Sequence, residues 1–294
     1  MNRREVLKMT AVTAVGAAAT LANDSVLAQP DKNTDKNVAL SSQFQNIVMS
    51  RQDGALVLRI NTPPRNTVSE TTLNEINLSL DMAANDETIG VIIITGSDRV
   101  FSAGAGANVF QEQIAGMPTH AALAHDVFNR IEEFPKPIIA AIVGLSAGGG
   151  NELAMACDIR IAGESAKFRQ HELQVGLIPG FGGMQRLQHH IGRGRAMDMM
   201  ITGRYMDAKE ALSAGLVTSV VADEDVVPTA LSLGQKLIED VNAAAFAVFK
   251  SRMASSYNEP FSTALKNDQQ AFDRIVQTEE AQAALQRFIA KQKG

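Results

Sequence analysis

The stretch GLSAGGGNELAM at residues 144–155 sets three consecutive glycines, Gly148, Gly149 and Gly150, just before a carboxylate, Glu152, with apolar sequence on both sides. Glycine has no Cβ to block an approaching ligand and adopts positive φ at little cost, so such a run can present bare backbone N–H groups. Where a helix begins at that point, its first N–H groups lack partners and the positive end of its dipole favours an anion. A phosphate suits this arrangement, but no GKS or GKT follows the glycines, as a phosphate-binding P-loop requires. The oxygen anion of an enolate also suits it. A second glycine-rich segment, FSAGAGAN at 101–108, follows another apolar run and offers a further N–H. Two such donors converging on one carbonyl oxygen make an oxyanion hole, in which losing one donor costs about 2.7–4 kcal/mol of transition-state stabilisation. Singly, each segment also reads as an ordinary tight turn between a strand and a helix.

Glu152 falls just inside the helix that Gly149 would begin, and Glu172 follows in QHELQVGLIPG, before a second Gly/Pro turn. Two carboxyls on one substrate can divide the work of acid and base when their surroundings separate their proton affinities. Leu153, Ala154 and Met155 would desolvate Glu152 and raise its pKa. On spacing alone, either glutamate reads equally as a solvated surface residue.

The elements that must hold these groups follow from the pattern. NIVMSRQDGALVLRIN alternates apolar and polar residues around Asp53-Gly54, which predicts a β-hairpin. Residues 69–84 place Leu73, Ile76, Leu80 and Ala83 on one helical face with Ser69 as cap. GVIIITG at 90–96 and IIAAIV at 138–143 are short, apolar and β-branched or small, as strands buried on both faces are. The second of these is expected to run on into the glycines, and 97–110 is expected to be a loop. A helix at 119–134, the helix NELAMAC, the strand DIRIAG and a strand, loop and helix across 166–192 complete an α/β alternation. Beyond about Asp207 the pattern is mostly helical, with long helical stretches at 228–256 and 259–292. The expected organisation is an α/β core over 44–227 and a smaller helical region over 228–294.

Composition narrows the function classes. The 294 residues, 45% apolar and 20% charged, suffice for one substantial core, and the net charge of −5 gives no basic stripe for nucleic acid. One cysteine, Cys157, cannot form an internal disulfide, and five scattered histidines show no metal-ligand spacing, so no metal is expected. Residues 1–28 differ from the rest: Arg3 and Arg4 precede an Ala-rich apolar run from Thr10 to Ala22, and SVLA ends at Ala28. This reads as a twin-arginine export signal, which places the mature chain in the periplasm or outside the cell. The run is too short to span a membrane. The alternative is the basic N-terminus of a cytoplasmic protein. Residues 29–43 read as a flexible leader.

With these motifs in place, the chain resembles the crotonase superfamily and, within it, the enoyl-CoA hydratases. IIAAIVGLSAGGGNELAMACDIRIA is similar to the family's strand–GGG–helix unit, FSAGAGANVF to its first oxyanion loop, and QHELQVGLIPGFGGMQRL to its second catalytic segment. ITGRYMDAKEALSAGLVTSVV is similar to the start of its helical part, and the likeness runs over about residues 44–292. The resemblance implies a crotonase-like fold, in which ββα repeats form a spiral core, with a smaller helical C-terminal trimerisation region. It implies that Ala105 and Gly149 supply the N–H groups that hold a thioester oxygen. It also implies that Glu152 and Glu172 grip a water, one as its base and the other delivering a proton to C2, and that the N–H of Gly180 helps orient that water. Ala103 matches a main-chain contact to adenine, while Phe288 and Lys291 match residues that a neighbouring subunit extends over coenzyme A.

No prosthetic group is implied, since coenzyme A enters as part of an acyl-CoA substrate, and a homotrimer or a hexamer of paired trimers is implied. Both glutamates together favour a hydro-lyase acting on 2-enoyl-CoA. The alternatives are an isomerase, a dehydratase and thioesterase releasing an unsaturated fatty acid, and a non-catalytic exported binding protein. Gly106 and Asn108 stand where hydratases often carry Asp and Lys, which removes a cation expected near the CoA phosphates. Arg65, where an apolar residue is common, is the expected replacement. His171 before Glu172, and Met184 where Thr is frequent, are further departures, bearing on substrate choice.

Overall fold

The computed structural model describes residues 44–106, 109, 111, 114–116 and 120–292. The expected export signal, the leader and Asn108 lie outside these residues. β1 (Ile47–Gln52) and β2 (Ala55–Ile60) pair antiparallel around Asp53 and Gly54, both at positive φ, as the sequence predicts. β3 (Val91–Thr95), β5 (Ile138–Ile142), β7 (Ile159–Gly163) and β10 (Ser219–Val221) continue a six-stranded sheet in the order β1-β2-β3-β5-β7-β10, parallel from β2 onward.

The strands are apolar throughout because each face of this sheet is covered. Ile92, Ile94, Ile138, Ala140 and Ile142 enter the main core beneath α1 (Glu70–Ala84), α2 (Ala121–Glu133) and α3 (Gly149–Ala156). The alternate residues, Val91, Ile93, Ile139, Ala141 and Ile161, meet Val226 and Ala230 of α7 (Val226–Asp240). A Cβ on Gly234 would lie 2.8 Å from Val91, so this glycine sets how closely α7 approaches the sheet. Burying each such isoleucine contributes about 1.5–3 kcal/mol.

A second, four-stranded sheet positions the site. It consists of β4 (Val100–Ser102), β6 (Leu145–Ala147), β8 (Lys167–Arg169) and β9 (Met206–Asp207), with the first three parallel. The chain runs β3, β4, α2, then β5, β6, α3, then β7, β8 and a 3-10 turn at Glu172–Val175. Each ββα repeat thus lays one strand in each sheet and closes with a turn at the same end of the second sheet. A parallel bridge between Thr67 and Gly104 extends that edge ahead of α1.

Several expectations need correction. The strand at 138–142 does not run into the glycines: it ends in the first sheet, the chain turns at Gly144 (φ 66°), and the separate β6 leads to Gly148. The expected loop at 97–110 contains β4, and β9 and β10 interrupt the part beyond Asp207 that was expected to be helical. The two long C-terminal stretches are four helices: α7, α8 (Ala243–Ser256), α9 (Phe261–Val276) and α10 (Glu279–Gln292). Asn242 breaks the first by accepting a hydrogen bond from Ala245 N–H, and Thr278 breaks the second by accepting one from Ala281 N–H. Lys250, 3% exposed, pins α8 to the core through Asp158 Oδ2 at 2.7 Å. α4 (Gly183–Ile191), α5 (Arg193–Thr202) and α6 (Ala208–Ala214) fill the space between β8 and β10.

Candidate active site

Three turns, each ending a strand of the second sheet, build the site. In the first, Gly104 at φ 85° lets the chain reverse, while Ala103 N–H donates to the Arg65 carbonyl at 2.9 Å and Val68 N–H to the Gly104 carbonyl at 3.0 Å. Ala105 N–H donates to none of the described residues. In the second turn, Gly148 at φ 50° donates its N–H to the Arg169 carbonyl at 2.9 Å, and Gly149 N–H is unpaired at the start of α3. A Cβ on Gly104 would lie 2.8 Å from both the Gly149 nitrogen and the Ala147 oxygen, so the two turns pack backbone against backbone. Ala105 and Gly149 consequently border the same cavity.

Each of the three glycines has its own reason to lack a side chain. A Cβ on Gly148 would lie 3.0 Å from Glu172 Oε1, one on Gly149 would press into the Phe181 ring at 2.8 Å, and one on Gly150 would collide with Ser102. The run therefore lets α3 begin beneath the carboxylate of the third turn.

Glu152, 1% exposed, accepts hydrogen bonds at Oε1 from Phe181 N–H (2.9 Å) and Gly183 N–H (2.7 Å). Burial first, then the charge of Glu172, pushes its pKa up from 4.5 to about 7, against the pull of those two N–H groups and Arg186. The direction and cause are those its apolar neighbours predict. Glu172, on the 3-10 turn, is half-buried, and burial raises its pKa as well. Its Oε2 is buried and takes no hydrogen bond from the described residues. The segment that holds Glu152 is itself held: Arg186 donates to the Phe181 carbonyl at 3.0 Å and pairs with Glu132 of α2 at 2.9 and 2.7 Å.

Glu152, Glu172, Ala105, Gly149 and Gly180 all border one cavity of about 410 Å³, together with Ala103 and Arg65. Gly180 N–H donates to none of the described residues. Arg65, Ala103 and His171 also border an adjoining cavity of about 330 Å³, shared with Arg169 and Tyr205. His171 Nδ1 has no partner, and burial together with Arg169 lowers the imidazole pKa, favouring its neutral form. Phe288 and Lys291 stand exposed on α10, and within the single chain neither borders these cavities. Met184 is exposed at the start of α4 and does not line the site.

Sequence reasoning missed Phe181 and Gly183, whose N–H groups fix Glu152, and Arg186, which fixes Phe181. The signal was GFGG itself: a Cβ on Gly183 would lie 2.8 Å from Glu152 Oε1. Two unpaired N–H groups beside two carboxyls of raised pKa can hold a developing oxyanion while one proton is taken and another given. Among the described residues no group of three or more His, Cys, Asp or Glu side chains is placed to hold a metal, and no helix is long and apolar enough to cross a membrane.

Comparison with known proteins supports the same site. A family model described as enoyl-CoA hydratase/isomerase matches residues 50–294. A probable enoyl-CoA hydratase of Bacillus subtilis is 39% identical over 241 residues, covering 81% of this chain and 93% of that protein. A crotonyl-CoA hydratase of Syntrophomonas wolfei is 35% identical, covering 85% and 97%. The crystal structure of an enoyl-CoA hydratase from Bacillus anthracis superposes with a TM-score of 0.77 at 31% identity, covering 84% of this chain and 97% of that one.

Proposed function

Because the chain belongs to the enoyl-CoA hydratase/isomerase family and has the crotonase fold, we propose that it adds water across the double bond of a 2-enoyl-CoA. The observation that carries this reading is the pair of carboxyls, Glu152 and Glu172, on one cavity with the unpaired N–H groups of Ala105 and Gly149. The thioester oxygen accepts from those two N–H groups. Water held by both glutamates, with Gly180 N–H orienting it, attacks C3. One carboxylate takes the water's proton, and the C2–C3 electron pair moves onto the thioester oxygen as an enolate. The enolate collapses as the other carboxyl delivers its proton to C2. One proton thus rests on the pair before and after the reaction, which fits a Glu152 pKa of about 7.

Coenzyme A lies along Ala103 and Arg65, with Arg65 supplying the cation that Gly106 and Asn108 do not. Phe288 and Lys291 reach over it from a neighbouring copy. Exposed Phe261, Phe272 and Phe288 on α9 and α10 support a homotrimer or a pair of trimers, which light scattering tests. Residues 1–28 direct export, and cell fractionation of Arg3→Lys, Arg4→Lys tests that.

The test of the reaction follows loss of the conjugated-thioester absorbance of crotonyl-CoA for wild type, Glu152→Ala and Glu172→Ala, with product analysis to separate the 3-hydroxyacyl from the 3-enoyl thioester. The expected result is a 3-hydroxyacyl product and a fall in kcat of about 10²–10⁴-fold in either variant. An inactive wild type, or a variant with undiminished kcat, overturns the reading.

A further inference from the structure

The active-site cavity has two unlike ends. At the end shared with the adjoining cavity stand Arg65, Ala103 and His171. Past Glu172 the wall is made of Val175, Leu177, Ile178, Phe181 and Ala121, and none of the described residues lining it there carries a positive charge. On this short segment Leu173 is 44% exposed, Val175 61%, Leu177 40% and Ile178 61%. A run of large apolar side chains left open to water beside a catalytic cavity marks a surface that an apolar ligand covers. Gly176, in the left-handed region at φ 79°, has open space where a Cβ would stand, so the segment does not close over itself.

We infer that this wall carries the tail of an apolar, methyl-ended acyl chain of medium or greater length. The inference rests on the hydratase reading, which places C2 and C3 of the acyl group between Glu152 and Glu172. Crotonyl extends one methyl group beyond C3 and leaves Val175 and Ile178 uncovered, whereas an octenoyl chain runs over them. An acyl chain ending in a carboxylate meets no cation among the described lining residues at this end and is disfavoured.

Each fully buried methylene strengthens binding about fourfold, and side chains about half exposed reduce this to about twofold. Titration calorimetry of the full chain with butanoyl-, octanoyl- and dodecanoyl-CoA, which cannot be hydrated, should therefore show octanoyl-CoA binding about fifteen-fold more tightly than butanoyl-CoA. Suberyl-CoA, which carries a terminal carboxylate, should bind more weakly than octanoyl-CoA. In Val175→Asp and Ile178→Asp the ratio of octanoyl to butanoyl affinity should fall towards one. Both positions are exposed, and thermal melting checks that the variants fold. Equal affinity along the series, or suberyl-CoA binding as tightly as octanoyl-CoA, overturns the inference. Turnover of crotonyl-CoA and 2-octenoyl-CoA separates the two claims. Turnover without length-dependent binding leaves the hydratase reading standing and this inference failed, whereas length-dependent binding without turnover does the reverse.

Discussion

Replacing Glu152 by glutamine should disable the site and stabilise the protein, with a pH dependence fixed by the geometry. Folding raises the pKa of this carboxyl from 4.5 to about 7, so between those values the folded chain binds more protons than the unfolded chain. Stability therefore falls as pH rises through that window, and the penalty is fully present above it. The shift corresponds to about 3 kcal/mol at pH 8 and about 1 kcal/mol at pH 5. Glutamine keeps an oxygen to accept from Phe181 and Gly183 N–H but has no charge to desolvate, so it escapes most of the penalty. For a chain of this size about 3 kcal/mol corresponds to about 6 °C in Tm. The assay is thermal melting of wild type and Glu152→Gln at pH 5 and pH 8, with turnover of crotonyl-CoA measured alongside. A stability gain equal at both pH values, or none at pH 8, refutes burial as the cause of the raised pKa.

Gly149→Ala drives a methyl group into the Phe181 ring and displaces one oxyanion donor; kcat should fall by about 10²–10³-fold with a smaller change in KM, and a change confined to KM would contradict that role. Arg65→Ala should raise KM for CoA thioesters several-fold and flatten its dependence on salt, and an unchanged KM rejects Arg65 as a phosphate contact. Lys250→Met strands Asp158, which keeps its bond from Ile138 N–H and is partly exposed, so the loss should sit near the low end for a broken buried pair, about 3 kcal/mol by urea unfolding. A loss below about 1 kcal/mol would show that the pair does not anchor α8.

The sequence makes legible those elements that bury a repeating face. β3 and β5 stand out because both faces are covered, and α1 because Leu73, Ile76, Leu80 and Ala83 share one side under the Ser69 cap, which accepts from Thr72 N–H. β4, β6 and β8 have three residues each, too few to display a period of two, and their pairing comes from partners far along the chain. The breaks at Asn242 and Thr278 were hidden for a different reason: neither is glycine or proline, and each caps a helix inside a continuing apolar pattern. At the site, side-chain chemistry pointed to Glu152 and Glu172. The groups that hold Glu152 are backbone N–H groups, which every residue except proline has, so type and spacing could not single out Phe181 and Gly183.

The repeat that escaped the sequence is also what gives the site its dimensions. β4 and β6 are adjacent parallel strands, and the turns carrying Ala105 and Gly149 follow them at the same end. Neighbouring strands lie about 4.8 Å apart, so two N–H groups one strand apart can each reach about 2.9 Å to a single oxygen, approaching it at about 110° to one another. That is close to the spread of the lone pairs on a carbonyl or enolate oxygen. β8 lies beside β6 on the other side, and the turn after it brings Glu172 over Gly148, where only a glycine leaves room for the carboxylate. Glu152 rises from α3 between them. The spacing between donors and acid–base groups thus follows from strand pairing, and the glycines are the residues that let three successive turns approach to that spacing.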